Sequence, residues 1–364
     1  MKILYVITGL GGGGAEKVVA DLADQMVKIG HQVKIAYLKG EVIVRPENGE
    51  IDLVYLGLET LKNSKNAYKN YKLLIQEFQP DVVHSHMVHA NIFARISRIF
   101  TPVPKLICTA HSNNEGGKGR MVVYRLTHHL AELTTNVSES AAKSFENFGA
   151  VPKKGIKAVF NGIDLNKFKK NEKLRNQYRE DLKFSKEDTI ILAVGRFHAA
   201  KNYPGLINAF KLLKMNSGTD FTKLVIAGDG EGRTEIENLI TKLELNDSVI
   251  LLGRREDIAI LMSAVDIFVL ASIYEGFGLV VAEAMASECY VVATNCGGVK
   301  EVMGGHGSLV IPNNSEALAR ELFNVLKLSM VKKDKNNKQA LKYIQENFSL
   351  DKIVQQWLII YEGQ

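Results

Sequence analysis

Only three cysteines occur in 364 residues, Cys108, Cys289 and Cys296, and no two form a CxxC pair. That excludes a disulfide framework and the common zinc spacings, and it is the pattern of a reduced, cytosolic chain. No apolar run approaches the about 20 residues that a membrane-spanning helix needs. The stretch 3–10 is apolar but short, and it runs into four glycines where a cleavage site would stand. It therefore reads as a buried first strand, not a leader. Zinc-finger spacing, RNA-binding aromatic motifs and helix-turn-helix patterns are all missing, so the formal charge of +6 does not point to nucleic acid. Low-complexity tracts and short-period repeats are missing as well.

What is present is the composition of a globular protein, 46% hydrophobic and 24% charged, at a length that fits two cores better than one. Short apolar, β-branched runs at 2–7, 33–38, 80–84, 105–109, 133–138 and 156–160 alternate with helical stretches such as 15–29. This is repeated βα winding and predicts a doubly wound parallel sheet. Charge density rises over 167–186, which reads as a linker and the first helix of a second domain. Strand-like runs then recur at 189–194, 224–227, 249–252, 267–270, 290–293 and 308–311. The tail 350–361 is amphipathic and holds the only Trp, Trp357. The charge is uneven: residues 1–170 carry 23 Lys and Arg against 15 Asp and Glu, the remainder 23 against 25. A basic half fits a solvated surface or an anionic membrane face.

The residues Glu275-Gly-Phe-Gly-Leu-Val-Val-Ala-Glu283 are the most informative. Gly276 and Gly278 place Glu275 in a loop, while the run from Leu279 is good helix and puts Glu283 in its first turns. The backbone N–H groups of Gly278, Leu279 and Val280 then form an anion site at a helix N-terminus, with a carboxylate on either side. On one continuous helix, eight residues would part the carboxylates by roughly 12 Å and about 80°, poor geometry for an acid/base pair across one bond. Gripping two ends of a ligand with a phosphate in its middle suits them better. Arg196 and Lys201, with Asn202 beside it, follow the strand ending near residue 195, where cations face a ligand crevice. An Arg fork and a Lys point charge can together offset a departing diphosphate without a metal.

The Gly-rich turn 9–14 follows a strand and opens a helix, a context in which backbone approaches a phosphate. A dinucleotide dehydrogenase would place an acid at the end of the second strand, and Ala36-Tyr37-Leu38-Lys39 has none. His84, His86 and His89 form HxHxxH, but no carboxylate or cysteine joins them at a ligand spacing, so a structural or lining role is expected and no metal site. His111 ends an apolar strand at a loop edge. Loop 113–120 is polar and Gly-rich. The stretch 121–126 behind it, flanked by Arg120 and Arg125, fits either a core-facing helix or a membrane-dipping one, the former favoured.

Glu275-x7-Glu283 behind Asp266-Ile-Phe-Val-Leu-Ala-Ser272 resembles the retaining glycosyltransferases of family four. Also similar are 11–16, His111, Asn161-Gly-Ile-Asp164, Gly195-Arg196, Lys201-Asn202, Gly228-Asp-Gly230 and 294–301, in that order along nearly the whole chain. The resemblance implies the GT-B fold, α/β with two Rossmann-like doubly wound domains facing a central cleft. It implies an acceptor domain over 1–167, a donor domain over 168–348, and a terminal helix, about 349–364, crossing back onto the first. It places Gly12, Gly13 and Gly14 near the donor diphosphate, Glu275 against the donor sugar hydroxyls, Glu283 on the ribose and His111 near the reacting sugar. Gly230 and Arg254 seat the base, Phe277 and Gly278 to Val280 line the donor site, and 294–298 shapes the same crevice, with Glu301 as a helix cap.

The expected activity is therefore transfer of a hexosyl or N-acetylhexosaminyl unit from a nucleoside diphosphate sugar, UDP favoured, to a glycan or polyprenyl-linked hydroxyl, with the anomeric configuration retained. No cofactor and no metal are expected, and domain closure about 165–173 and 347–350 is. A sugar-nucleotide epimerase of similar fold is the nearest alternative, and a non-catalytic nucleotide-sugar-binding subunit is another. The basic first half suggests a peripheral place on the inner membrane face, through Lys62, Lys65, Lys69, Lys72, Lys118, Arg120 and Arg125. Donor sugar, acceptor and oligomeric state are not readable.

Overall fold

The computed structural model describes residues 1–113 and 116–363 and divides them into two compact units, 1–162 with 351–363, and 163–350.

In the first unit the strands are β1 (Lys2–Ile7), β2 (Gln32–Tyr37), β3 (Asp52–Tyr55), β4 (Val82–His86), β5 (Leu106–Ala110), β6 (Leu133–Asn136) and β7 (Lys157–Ala158). Between them run α1 (Gly14–Lys28), α2 (Ser64–Phe78), α3 (Val88–Arg98), α4 (Lys118–Thr127) and α5 (Glu139–Asn147). The strands pair in parallel in the order β3-β2-β1-β4-β5-β6-β7. Ile3 to Ile7 are wholly buried, as a central strand covered by helices on both faces requires. The expected strand at 156–160 is only two residues long, and β3 is a strand the apolar runs did not mark. Its Asp52-Leu-Val-Tyr is partly exposed at the sheet edge, too short for an alternation to register.

The second unit repeats the plan with β8 (Thr189–Val194), β9 (Thr222–Ala227), β10 (Val249–Gly253), β11 (Ile267–Leu270), β12 (Tyr290–Thr294) and β13 (Ser308–Val310). Its helices are α6 (Glu172–Asp181), α7 (Tyr203–Lys214), α8 (Arg233–Lys242), α9 (Ile258–Ala264), α10 (Leu279–Ala286), α11 (Val299–Met303), α12 (Ser315–Leu326) and α13 (Met330–Phe348). The order β10-β9-β8-β11-β12-β13 is again all parallel. Leu206, Ile207, Phe210 and Leu213 of α7 and Leu318 and Leu322 of α12 pack with Leu224, Ile226 and Val292 of the sheet. Each fully buried side chain of this size contributes about 1.5–3 kcal/mol. Arg175 and Arg179 of α6 both reach Asp266, at 2.5 and 3.3 Å, and tie that helix to the start of β11.

A last helix, α14 (Leu350–Glu362), continues the chain into the first unit. There Trp357 packs 4.4 Å from the His84 ring, and the Tyr361 hydroxyl meets His84 Nδ1 at 2.7 Å and the Tyr5 hydroxyl at 3.2 Å.

In both sheets the winding reverses beside the first strand: β1 lies between β2 and β4, and β8 between β9 and β11. In open α/β sheets the ligand crevice opens beyond the carboxyl ends of the strands at that reversal. The loops after β1, β8 and β11 are those the sequence marked.

Candidate functional site

In the second unit, β8 delivers Gly195 and Arg196, and a short turn of helix, Ala199–Lys201, brings Lys201 back over the strand end. Asn202 follows at φ 52, a left-handed conformation that Asn tolerates, and its Oδ1 accepts the Gly205 N–H at 3.2 Å to cap α7. The loop after β11 carries Ser272 and Glu275. Lys201 Nζ lies 2.6 Å from Glu275 Oε1, and the Ser272 hydroxyl donates to the same oxygen at 2.7 Å. Both side chains are largely shielded, Lys201 24% and Glu275 13% exposed. Below the pair, the Tyr203 hydroxyl donates to the Gly195 carbonyl at 2.9 Å. Burial, with the Glu275 charge as a second cause, raises the Tyr203 phenol and keeps it a donor.

Main-chain contacts hold this arrangement. Ile273 N–H donates to the Ala200 carbonyl at 2.8 Å, joining the two loops directly. Thr294 Oγ1 donates to the Ser272 carbonyl at 2.6 Å, and Gly298 N–H to the Gly276 carbonyl at 3.2 Å, so 294–298 buttresses the Glu275 loop. Cys296 sits in this buttress, its thiol pushed up to about 11, chiefly by burial, so it is neutral packing and not a nucleophile. Gly278 is left-handed, φ 91 and ψ 48, at the N-cap of α10, and it has no side chain with which to cap the helix. The first N–H groups of α10 lack partners within the helix and face outward from its start.

The two carboxylates of the motif differ. Glu275 is partly buried in the loop after β11, whereas Glu283 is 3% exposed within α10. Phe277 is also buried, edge-on to Phe348 at 5.5 Å, so what it offers a ligand is main chain. Leu279 and Val280 are half-buried.

Arg196 is exposed and paired with Glu231 at 3.1 Å. Glu231 lies in the loop after β9, which is laced to the loop after β8: Phe197 N–H to the Asp229 carbonyl at 2.9 Å, and Gly232 N–H to the Phe197 carbonyl at 3.0 Å. This crossing explains two glycines of the Gly-Asp-Gly motif. A Cβ on Gly228 would overlap the Gly195 carbonyl oxygen, and one on Gly230 would stand 2.8 Å from the Phe197 oxygen. Arg254 is exposed just after β10.

In the first unit, Gly12, Gly13 and Gly14 are exposed where the loop after β1 enters α1, with Gly13 at the N-cap, Gly14 the first helical residue and Glu16 in the first turn. His111 follows β5, half-buried, with Nε2 3.0 Å from His86 Nδ1. Burial lowers His111 to about 4, so it is neutral at physiological pH. Beside it Met87 sits at φ 72, a conformation costing on the order of 1–3 kcal/mol in a long-side-chain residue and typical of functional turns. Glu231, Met87 and the contacts made by Ser272 and His86 were not anticipated, although Ser272 closes the 266–272 run and His86 belongs to the HxHxxH cluster.

The stretch 121–126 forms part of α4, with Met121 and Tyr124 buried against Phe145 and Ala110, and Val122 and Leu126 exposed. The favoured core-facing reading thus holds for the Met121 and Tyr124 side of this helix. Asn114 and Glu115 of the loop before it, and the Lys118 side chain, lie outside the described residues.

A family model described as Glycosyltransferase Family 4 matches residues 12–167, and one described as Glycosyl transferases group 1 matches 174–344. Among curated proteins the chain is similar to a Campylobacter jejuni enzyme named N-acetylgalactosamine-N,N'-diacetylbacillosaminyl-diphospho-undecaprenol 4-alpha-N-acetylgalactosaminyltransferase, 29% identical over 93% of both chains. It is also similar to an uncharacterized glycosyltransferase of Methanocaldococcus jannaschii, 30% identical over 78% of this chain and 75% of that one. Among solved structures, an Anabaena protein in complex with UDP and glucose superposes with a TM-score of 0.86 over the whole of both chains at 21% identity, which establishes the shared fold.

Proposed function

This chain belongs to the glycosyltransferases of group 1 and family 4, two Rossmann-like units of the GT-B type, and from that premise we propose that it moves a sugar from a nucleoside diphosphate to an acceptor hydroxyl with retention at the anomeric carbon. The observation that carries this reading is the Lys201–Glu275 pair at the reversal point of the second sheet, next to the uncapped start of α10. A ligand with vicinal hydroxyls at one end and a diphosphate at the other matches a carboxylate beside a cation and a row of N–H groups.

In the proposed reaction the bond from the anomeric carbon to the diphosphate oxygen breaks with both electrons on the diphosphate. The acceptor oxygen forms the new bond on the same face, and its proton passes to the leaving phosphate. Arg196, Lys201 and the N–H groups of Gly278 to Val280 stabilise the charge that develops there, without a metal ion. Glu275 orients the sugar hydroxyls, Glu283 the ribose, and Gly230 and Arg254 the base, while Gly12 to Gly14 approach the diphosphate and His111 the sugar. UDP is the first donor to test, since a protein of the same fold has been solved with it. A polyprenyl diphosphate-linked glycan is the first acceptor class, since the Campylobacter relative's name specifies a diphospho-undecaprenol substrate.

We further propose that the first unit rests on an anionic membrane face. Lys65, Lys69 and Lys72 are exposed on α2 at spacings of four and three, with Lys62 one turn earlier, so they form one basic stripe. Leu61 and Leu73 are exposed nearby. Among the described residues no helix is long and apolar enough to cross a membrane.

Product analysis with radiolabelled UDP-glucose, UDP-N-acetylglucosamine and UDP-N-acetylgalactosamine, with and without undecaprenyl diphosphate-linked sugar, tests the reading. Label moving into the lipid phase with the α-anomer retained is expected. Interconversion of the nucleotide sugars themselves would indicate an epimerase. Binding without turnover would indicate a regulatory subunit.

A further inference from the structure

Of the buried histidines, one touches a residue that the proposed reaction uses. His86 ends β4 and pairs in register with Thr109 of β5, two residues before His111, and its Nδ1 lies 3.0 Å from His111 Nε2. The His86 ring is buried, and its Nε2 has no hydrogen-bond partner among the described residues. Its orientation is held from below. His84 packs against it with ring centroids 4.0 Å apart, and His84 is itself pinned at both nitrogens, Nδ1 to the Tyr361 hydroxyl and Nε2 to Thr109 Oγ1, each at 2.7 Å.

Proton placement follows from this geometry. Burial disfavours the charged form of both rings, so the contact joins two neutral imidazoles and holds a single N–H. If His111 supplied it, the His86 proton would sit on Nε2, a buried N–H without an acceptor. If His86 supplies it from Nδ1, Nε2 keeps only a lone pair. Orphaned buried N–H groups are the rarer of the two in folded proteins.

We propose that His86 is a positioning residue: its Nδ1–H donates to His111 Nε2 and fixes His111 as the tautomer protonated at Nδ1. For catalysis this rests on the reading that His111 faces the donor sugar, and its consequence there is that His111 acts on the sugar as a neutral donor through Nδ1.

The test is long-range proton–nitrogen correlation on the full chain labelled with ¹⁵N-histidine at pH 7.5. The signals are assigned by their loss in His86→Asn and His111→Gln. His111 is expected to show a protonated Nδ1 and an unprotonated Nε2. His86→Asn, whose amide nitrogen stands near the lost Nδ1, keeps that pattern. His86→Gln, whose amide nitrogen stands near the lost Nε2, and His86→Phe replace it with a mixture of tautomers. Thermal unfolding shows which variants are folded; where Gln or Phe is not, the wild-type pattern and the Asn variant decide. A wild-type His111 protonated at Nε2, or a folded Gln variant identical to wild type, overturns the proposal. No turnover is needed, so the two readings fail separately: an active His111→Ala enzyme would refute the role at the sugar and leave the tautomer standing.

Discussion

Lys201 Nζ and the Ser272 hydroxyl both meet Glu275 at Oε1, 2.6 and 2.7 Å away, so a ligand hydroxyl can meet Oε2 without displacing either. The carboxylate is therefore pre-aimed, and little reorganisation is left for the moment of reaction. Glu275→Ala should lower turnover by about 10² or more while leaving nucleotide affinity nearly intact. Arg196→Ala should lower turnover comparably and weaken nucleotide binding markedly, because its proposed partner is the diphosphate. Steady-state kinetics with UDP as a competitive inhibitor separate the two; near-normal turnover in either variant contradicts its role.

Arg196 and Lys201 are proposed to carry the charge that a divalent ion carries in metal-dependent transferases. Turnover should accordingly survive EDTA, and added magnesium or manganese should change it by less than about twofold, well below the effect expected for removing a catalytic cation. Activity abolished by the chelator and restored by either ion would overturn the assignment.

The crossing of the loops after β8 and β9 leaves no room for a side chain at Gly228, whose Cβ would meet the backbone carbonyl of Gly195. Backbone overlap cannot be relieved by a rotamer change. Gly228→Ala should thus cost about 3 kcal/mol or more and disturb Arg196 next to the contact. Gly49→Ala, in open space and without positive φ, should be within about 0.5 kcal/mol of wild type. Urea unfolding of the two variants makes the comparison.

Much of this was legible because buried parallel strands write themselves as β-branched runs and their loops as glycine beside charge. The residues from Thr189 to Arg196 and from Ile267 to Glu275 are such pairs, and both fall at the sheet reversal. Less legible was whatever depends on register. His86 and His111 are 25 residues apart and meet only because β4 pairs with β5. Glu231 meets Arg196 across 35 residues through a loop crossing that no periodicity encodes. The α2 helix is a different case. Ala67, Tyr71, Leu74, Ile75 and Phe78 have helical spacing, but polar residues between them dilute the apolar signal.

The lowered histidines of the first unit give a pH dependence with a definite sign. His111 titrates near 4 when folded and near the ordinary 6.5 when unfolded, because burial disfavours its charge. Above 6.5 both states are neutral there and the group is silent. As pH falls from 6.5 towards 4 the unfolded chain takes up the proton and the folded one does not, so stability drops by up to about 1.4 kcal/mol per pH unit for each such group. His84 and His86 shift in the same direction. Carboxylates add to the acid limb, so the comparison is by difference. His111→Gln should show a shallower loss between pH 6.5 and 4 than wild type by up to one proton, and an equal slope would mean that His111 titrates normally.

The basic stripe on α2 predicts salt-sensitive attachment to anionic bilayers. Exposed lysines near such a surface contribute about 1 kcal/mol each, so Lys62, Lys65, Lys69 and Lys72 together suffice for binding that sedimentation detects at low salt. Screening shortens that attraction to within about 8 Å at physiological ionic strength, so binding should fall steeply as salt rises. The exposed apolar side chains of α4, Val122 and Leu126, would instead give binding that survives salt. Vesicles of neutral lipid alone and of neutral lipid with phosphatidylglycerol, each at low and high salt, separate these contributions. Replacing Lys65, Lys69 and Lys72 by Glu should abolish pelleting with anionic vesicles while leaving thermal stability nearly unchanged, because all three side chains are exposed. Equal pelleting on neutral and anionic vesicles, or an undiminished triple variant, would remove the electrostatic argument.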